Sequence, residues 1–140
     1  MKEMNDKYFI DSNIFIYAKV EGDVKHAKAK ELLATFREGQ TIISTQVINE
    51  FYNALTKYKV SDELIQTNII NIVKASFLSI ITYSTIQSAW AVKSTYKYSF
   101  YDSLIIASAL ENNCTILYSE DLHHGQIIKN SLRIVNPFID

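Results

Sequence analysis

The chain has 140 residues, 48% of them hydrophobic and 21% charged, the balance of one globular domain and not of a disordered chain. A formal net charge of -1 gives no overall pull toward nucleic acid or an anionic membrane, and leaves room only for a local basic groove offset by acids elsewhere. The single cysteine, Cys114, excludes an intrachain disulfide and a cysteine metal site, and reads as a small buried residue on a strand.

Taken in order, residues 1–6 are polar and lead straight into a strand, unlike a signal peptide. No apolar run is long enough to span a bilayer, so the expectation is one cytoplasmic domain over residues 1–140. Tyr8, Phe9 and Ile10 have the composition of a strand, which ends on Asp11 before the short apolar helix of Ile14, Phe15 and Ile16. Asp23 is placed to cap a helix running to about Arg37, with Ala29, Leu32, Leu33 and Phe36 as its apolar stripe and Gly39 closing it. A strand at 41–44 follows, and then helices at 46–59 and 62–76 with Thr45 and Ser61 as caps. A strand at 79–83, a helix from Ser84 to about Lys97, and a second helix at 100–112 come next. Strands at 115–118 and 132–135 end the chain, the last stopped by Asn136-Pro137, and Trp90 is expected in the core. Short, β-branched strands without clean alternation belong between helix layers, so the reading is a three-layer α/β/α domain with a short, mostly parallel central sheet. The three glycines, Gly22, Gly39 and Gly125, form no phosphate-cradling loop, and no G-x-S-x-G elbow occurs.

Four acids do not read as plain surface charges. Asp11 is lodged between apolar segments, where it or Ser12 serves as a helix cap or needs another compensating partner. Glu50 falls at the edge of the stripe Val47, Phe51, Ala54 and Tyr58, and Ala54 leaves it without a lysine one turn on; alone it reads as an ordinary boundary glutamate. Asp102 opens a helix that is apolar nearly all round, in the S-x-x-D form of a capping box that begins at Ser99. Asp121 closes a second strand in acid, which alone is as well explained by a solvated turn. In a parallel sheet all four places fall at one edge, where ligands of α/β proteins bind. Crowded carboxylates there repel one another, and a hard divalent cation such as Mg²⁺ or Mn²⁺ relieves that repulsion and supports phosphoryl chemistry.

Asp11-Ser12-Asn13, Glu50 in the helix after the second strand, Asp102 before Leu104-Ile105-Ile106-Ala107, and Ser119-x-Asp121 together resemble the motifs of PIN-domain ribonucleases, most closely bacterial toxins of the VapC type. The resemblance covers nearly the whole chain. It implies Mg²⁺- or Mn²⁺-dependent endonucleolytic cleavage of RNA, with Asp11, Glu50, Asp102 and Asp121 holding the metal and Asn13 and Ser119 supporting them by hydrogen bonds. It also implies a cognate antitoxin as partner and a homodimer. Glu120 stands beside Asp121 and competes with it for the place of the fourth acid.

Two other readings fit part of the pattern. A haloacid-dehalogenase-type phosphatase also places Asp after its first strand but resembles D-x-D, where this chain has Asn13. A PIN-like fold kept only to bind RNA or protein would not need all four acids. RNA contacts are sought among Lys19, Lys25, Lys28, Lys57 and Lys97, with Tyr101 able to stack, each of which is otherwise a solvated surface residue. His123 and His124 read as an exposed loop pair. In the helix at 62–76, Ile65, Ile69 and Ile72 form a core-facing stripe; Leu64 and Ile70 point away from it, toward neighbouring helices of the chain or a second copy.

Overall fold

In the computed structural model, which describes residues 6–22 and 24–139, twelve elements follow one another: β1 (Tyr8–Ile10), α1 (Ser12–Lys19), α2 (Val24–Ala34), β2 (Thr41–Ser44), α3 (Thr45–Lys57), α4 (Asp62–Ala75), β3 (Phe77–Ser79), α5 (Tyr83–Tyr96), α6 (Phe100–Glu111), β4 (Ile116–Tyr118), β5 (Ile127–Ile128) and β6 (Leu132–Val135). Residues 1–5 and the expected cap Asp23 lie outside the described residues. Tyr8, Phe9 and Ile10 are fully buried, as a strand flanked on both sides and covered on both faces must be. Each such side chain contributes on the order of 2 kcal/mol by leaving water. β1 pairs in parallel with β2 on one side and β4 on the other.

The sheet order is β3-β2-β1-β4-β6-β5, parallel throughout except for β5 against β6. The chain therefore steps outward from β1 to β2 to β3, then returns across the sheet to β4 on the far side of β1. Right-handed crossovers put the helices of the outward run and the returning pair α5 and α6 on opposite faces, which gives the three layers. The reversal opens a crevice between the carboxyl ends of β1 and β4. No helix among the described residues is long and apolar enough to cross a membrane.

Several local expectations are corrected. The third strand is Phe77–Ser79, ahead of the expected 79–83, because Thr82 ends the extended run by capping α5 in a reciprocal capping box with Thr85. Helix α2 stops at Ala34, where Thr35 turns back onto the Leu32 carbonyl and frees Phe36 to pack on Tyr8 and Tyr118, with ring centroids 5.3 and 5.7 Å away. Ser44, not Thr45, is the N-cap of α3, and its buried stripe is Val47, Phe51 and Leu55, while Tyr58 is exposed. Trp90 is 51% exposed, because α5 turns Thr85, Ala89 and Val92 to the interior. The two-residue strand β5 was not expected; it pairs with the following β6 as a short antiparallel hairpin. On α4, Ile65 is buried as expected, and Leu64 and Ile70 are more than half exposed, so no neighbouring helix covers them.

Candidate active site

Asp11 follows β1 and is the N-cap of α1, its Oδ1 accepting the Ser12 N–H at 2.7 Å. Its Oδ2 accepts the Ser119 hydroxyl at 2.7 Å, and Ser119 follows β4 directly. The two strands flanking the crevice are thus tied through one carboxylate. That carboxylate is 5% exposed, and no lysine, arginine or histidine of the described residues pairs with it. Burial pushes the Asp11 carboxyl up to about 7, against the Ser119 hydrogen bond and with the help of the negative charges of Glu50 and Asp121.

Ser12 joins the second acid to the first. Its hydroxyl donates to Glu50 Oε1 at 3.0 Å and lies 3.5 Å from Asp11 Oδ1. One turn before Glu50, Gln46 donates from Nε2 to Glu50 Oε2 at 3.1 Å and to the Tyr101 carbonyl at 3.0 Å. That second bond fastens α3 to the first turn of α6, beside Asp102. Ser99 caps α6 by accepting the Asp102 N–H at 3.2 Å, which is one half of the expected capping box; the Asp102 side chain does not return a bond to the Ser99 N–H. Burial raises the Asp102 carboxyl above the usual carboxylate range, opposed by the Ser99 hydrogen bond and reinforced by the charge of Asp121.

Asp121 is held from α1. Asn13 Nδ2 donates to Asp121 Oδ2 at 3.2 Å, Asn13 Oδ1 accepts the Glu120 N–H at 3.3 Å, and the Asp121 N–H donates to Ser119 Oγ at 3.2 Å. Glu120 turns elsewhere. Its Oε1 accepts the Tyr17 hydroxyl at 2.9 Å, and its Oε2 pairs with Lys25 Nζ at 2.5 Å. Of the two adjacent acids, Asp121 therefore faces the cluster and Glu120 is engaged beside it.

The structure thus links Asp11 to Glu50 through Ser12 and sets Asp121 near enough to both Asp11 and Asp102 to raise their carboxyls, with Asn13 bonded to Asp121 and Ser119 to Asp11. Sequence reasoning missed two residues. In the sequence Ser12 stands only as a cap candidate, whereas in the structure its hydroxyl links Asp11 and Glu50. Gln46 carries a signal that was available, since a glutamine four residues before an acid on a helix is placed to bond it. Of the candidate RNA contacts, Lys25 is engaged with Glu120 and stacks over the Tyr17 and Phe138 rings. Lys19 lines a cavity of about 600 Å³ together with Lys30, Arg37, Lys74 and Thr41 at the start of β2, toward the opposite sheet edge. Lys57 and Lys97 are exposed and Lys28 is half-buried. His123 and His124 are exposed, and His124 Nδ1 accepts the Asn136 N–H at 2.9 Å, a loop-holding role.

Among the described residues no three carboxylate, imidazole or thiol groups are gathered as a ready-made metal-ligand set. The donor chemistry nevertheless fits a hard cation, being all oxygen and without a compensating positive side chain at Asp11. Mg²⁺ in particular keeps several waters and takes one or two carboxylates directly, so a cleft bordered by acids suits it.

The family model described as PIN domain matches residues 8–129 of this chain. Among solved structures, a toxin–antitoxin complex from Klebsiella pneumoniae is 20% identical, with a TM-score of 0.71 over 94% of this chain and 98% of that one. VapC20 of Mycobacterium tuberculosis, described as a sarcin–ricin loop cleaving toxin, is 19% identical, with a TM-score of 0.68 over 79% of this chain and 87% of that one. VapBC2 from Rickettsia felis, bound to a DNA fragment from its promoter, is 19% identical, with a TM-score of 0.63 over 92% of this chain and 98% of that one. At these identities the likeness is one of fold. No curated protein matches the sequence.

Proposed function

The chain belongs to the PIN-domain family, and from that premise we propose that it is a Mg²⁺- or Mn²⁺-dependent endoribonuclease and the toxin of a toxin–antitoxin pair. The observation that carries the reading is Asp11. A carboxylate 5% exposed, linked through Ser12 to Glu50 and lying near enough to Asp121 to feel its charge, has no stabilising role that a neutral residue would not fill better. Asp11, Glu50, Asp102 and Asp121 would hold the cation. When bound, such an ion lowers the pKa of a water and offsets the charge that develops on a phosphodiester during hydrolysis. The protein's own contribution is placement: Ser119 and the Ser12 N–H fix the two Asp11 oxygens, Ser12 and Gln46 fix Glu50, and Asn13 fixes Asp121. The test is incubation of purified protein with a pool of cellular RNAs, with Mn²⁺ and with EDTA, followed by mapping of cut ends. Discrete ends that need the cation are expected; their absence overturns the nuclease, and retained Mn²⁺ binding without cutting would favour a binding module.

The toxin reading rests on the neighbours of similar fold, and its partner is a cognate antitoxin that suppresses cutting when added in equal amount. We further propose a homodimer through α4. Leu64 and Ile70 are 54% and 53% exposed on a helix whose Ile65 is fully buried, and a self-complementary patch closes an assembly of two. Ile70→Glu would place a charge in that interface and weaken the dimer at micromolar concentration. Light scattering that shows a monomer, or a dimer indifferent to Ile70→Glu, removes this surface.

A further inference from the structure

Beside the acids lies a groove of about 500 Å³ lined by Thr45, Gln46, Asn49, Glu50, Asn53, Ile81, Tyr101 and Leu104. It starts at the acid cluster, since Glu50 is in its wall and Tyr101 immediately precedes Asp102. Its floor is one face of α3: positions 46, 49, 50 and 53 recur at helical spacing. A smaller hollow of about 270 Å³, formed by Asn53, Ala54, Lys57 and Tyr58, continues the same face by one more turn and shares Asn53 with it.

The groove lining holds no lysine or arginine, so no cationic side chain is there to pair with a phosphate. It offers carboxamides instead, which present a donor and an acceptor side by side and match the edges of nucleobases. Asn49 and Asn53 are exposed, and their side chains make no hydrogen bond among the described residues, so both amides can reach a ligand. Gln46 is 7% exposed, and its Oε1 has no hydrogen-bond partner although Nε2 makes two. Ile81, Leu104 and Tyr101 complete the lining; Tyr101 is 66% exposed, and its ring meets Phe100 edge-on at 5.3 Å, a contact that holds it while most of it stays open to a ligand. A flat heterocycle with a polar edge fits such a slot. The cation nearest along this face is Lys57, in the second hollow.

We propose that this groove holds an unpaired RNA base adjacent to the scissile phosphate, with Tyr101 stacking on it and Asn49 and Asn53 reading its edge, and that it sets the sequence preference of cleavage. The inference rests on the nuclease reading above. Single strands are the form of RNA whose bases are open to such recognition.

The test compares cut-end maps of wild type, Tyr101→Ala, Tyr101→Phe and Asn49→Ala/Asn53→Ala on one RNA pool with Mn²⁺. Tyr101→Ala should lower kcat/KM roughly 5- to 150-fold, the range spanned by stacking of one base, and Tyr101→Phe should restore it. The asparagine pair should change base preference at one position next to the cut by about ten-fold or more, a readout that general loosening of the fold does not produce. Matching thermal melts exclude misfolding, which is not expected at exposed amides without partners. Wild type that cuts nothing overturns the nuclease reading and this inference together. Wild type that cuts, with preference and rate unchanged in all three variants, overturns the groove alone. Unchanged cut sites with weakened self-association assign the face to a second copy of the chain and overturn it likewise.

Discussion

Asp11 and Asp121 each follow a strand of the crevice, β1 and β4, yet they are held in opposite ways. Asp11 is sealed in, with both oxygens bonded to a backbone N–H or a hydroxyl, and its negative charge is disfavoured. Asp121 is exposed, and its side chain rests on one amide from Asn13. The same chemical group therefore does two jobs. The sealed acid is costly to ionise and held at both oxygens, which under the proposed function suits it to fix where a cation would sit; the open one is held at a single oxygen and has room to adjust. The contrast teaches that strand-end position alone does not set the surroundings of an acid: Asp11 is buried and Asp121 is exposed.

The largest break in that comparison is Asp11→Asn. RNA cutting should fall by more than the roughly 10- to 100-fold that loss of a supporting hydrogen bond costs. Stability should move the other way. The folded carboxyl titrates near 7 and the unfolded one near 3.8, so the folded state holds the extra proton between those values and wild type loses stability as pH rises through that window. Melts in EDTA should show Asp11→Asn matching wild type near pH 4 and exceeding it at pH 8 by on the order of 2–4 kcal/mol. Undiminished cutting, or a variant less stable at pH 8, would refute the assignment.

Next in size is Ser119→Ala, which strips one oxygen of Asp11 of its donor and the Asp121 N–H of its acceptor at once. Cutting should drop about 10- to 100-fold. Mn²⁺ titration should show weaker binding without loss of the fold. Equal metal affinity in variant and wild type would mean that Ser119 supports the strand end and not the acids.

The course of the chain and the placement of the acids were largely legible. Strand ends that stop on a carboxylate stand out because apolar sequence surrounds them, as at Asp11, and the shared edge follows from parallel topology. What was not legible has physical causes. Trp90 neighbours Ala89, and a helix with small buried residues gives too weak a periodicity to say which face is inside. The two residues of β5 are too short to carry an alternation, and their pairing depends on the turn that precedes β6. The link through Ser12 joins residues 38 positions apart, a contact that only the packing of α1 on α3 creates. Gln46 could have been found from helical spacing, but its bond to the Tyr101 carbonyl could not.

Asp121→Asn sharpens the comparison from the open side. A ligand exposed to solvent can be replaced by water in the shell of a hard cation, so the loss of cutting should be about ten-fold, less than for Asp11→Asn. Its metal-free stability should hold or rise, and by less than that of Asp11→Asn, since only the Asp121 share of the repulsion on the Asp11 and Asp102 carboxyls is relieved. A loss as deep as that of Asp11→Asn would show that burial does not divide the two roles.

The smallest effect is expected at the neighbouring position, and it decides which of two adjacent acids belongs to the site. Glu120 shares a turn with Asp121, but its oxygens are taken by the Tyr17 hydroxyl and the Lys25 ammonium, the latter stacked over the Tyr17 and Phe138 rings. These partners come from α1 and the start of α2, so Glu120 anchors the loop after β4 to the flank of the crevice. The pair is half-buried, with the two side chains 34% and 22% exposed, so salt screens it only in part. Glu120→Gln keeps the length of the side chain and an acceptor for Tyr17, and it removes only the charge that meets Lys25. Cutting should stay within about two-fold of wild type, and Mn²⁺ affinity should not move, because Glu120 is engaged beside the cluster and the lost charge meets only Lys25. If Glu120→Gln abolishes cutting while Asp121→Asn is mild, the loop presents the other acid when a cation binds, and the assignment of the fourth acid is reversed.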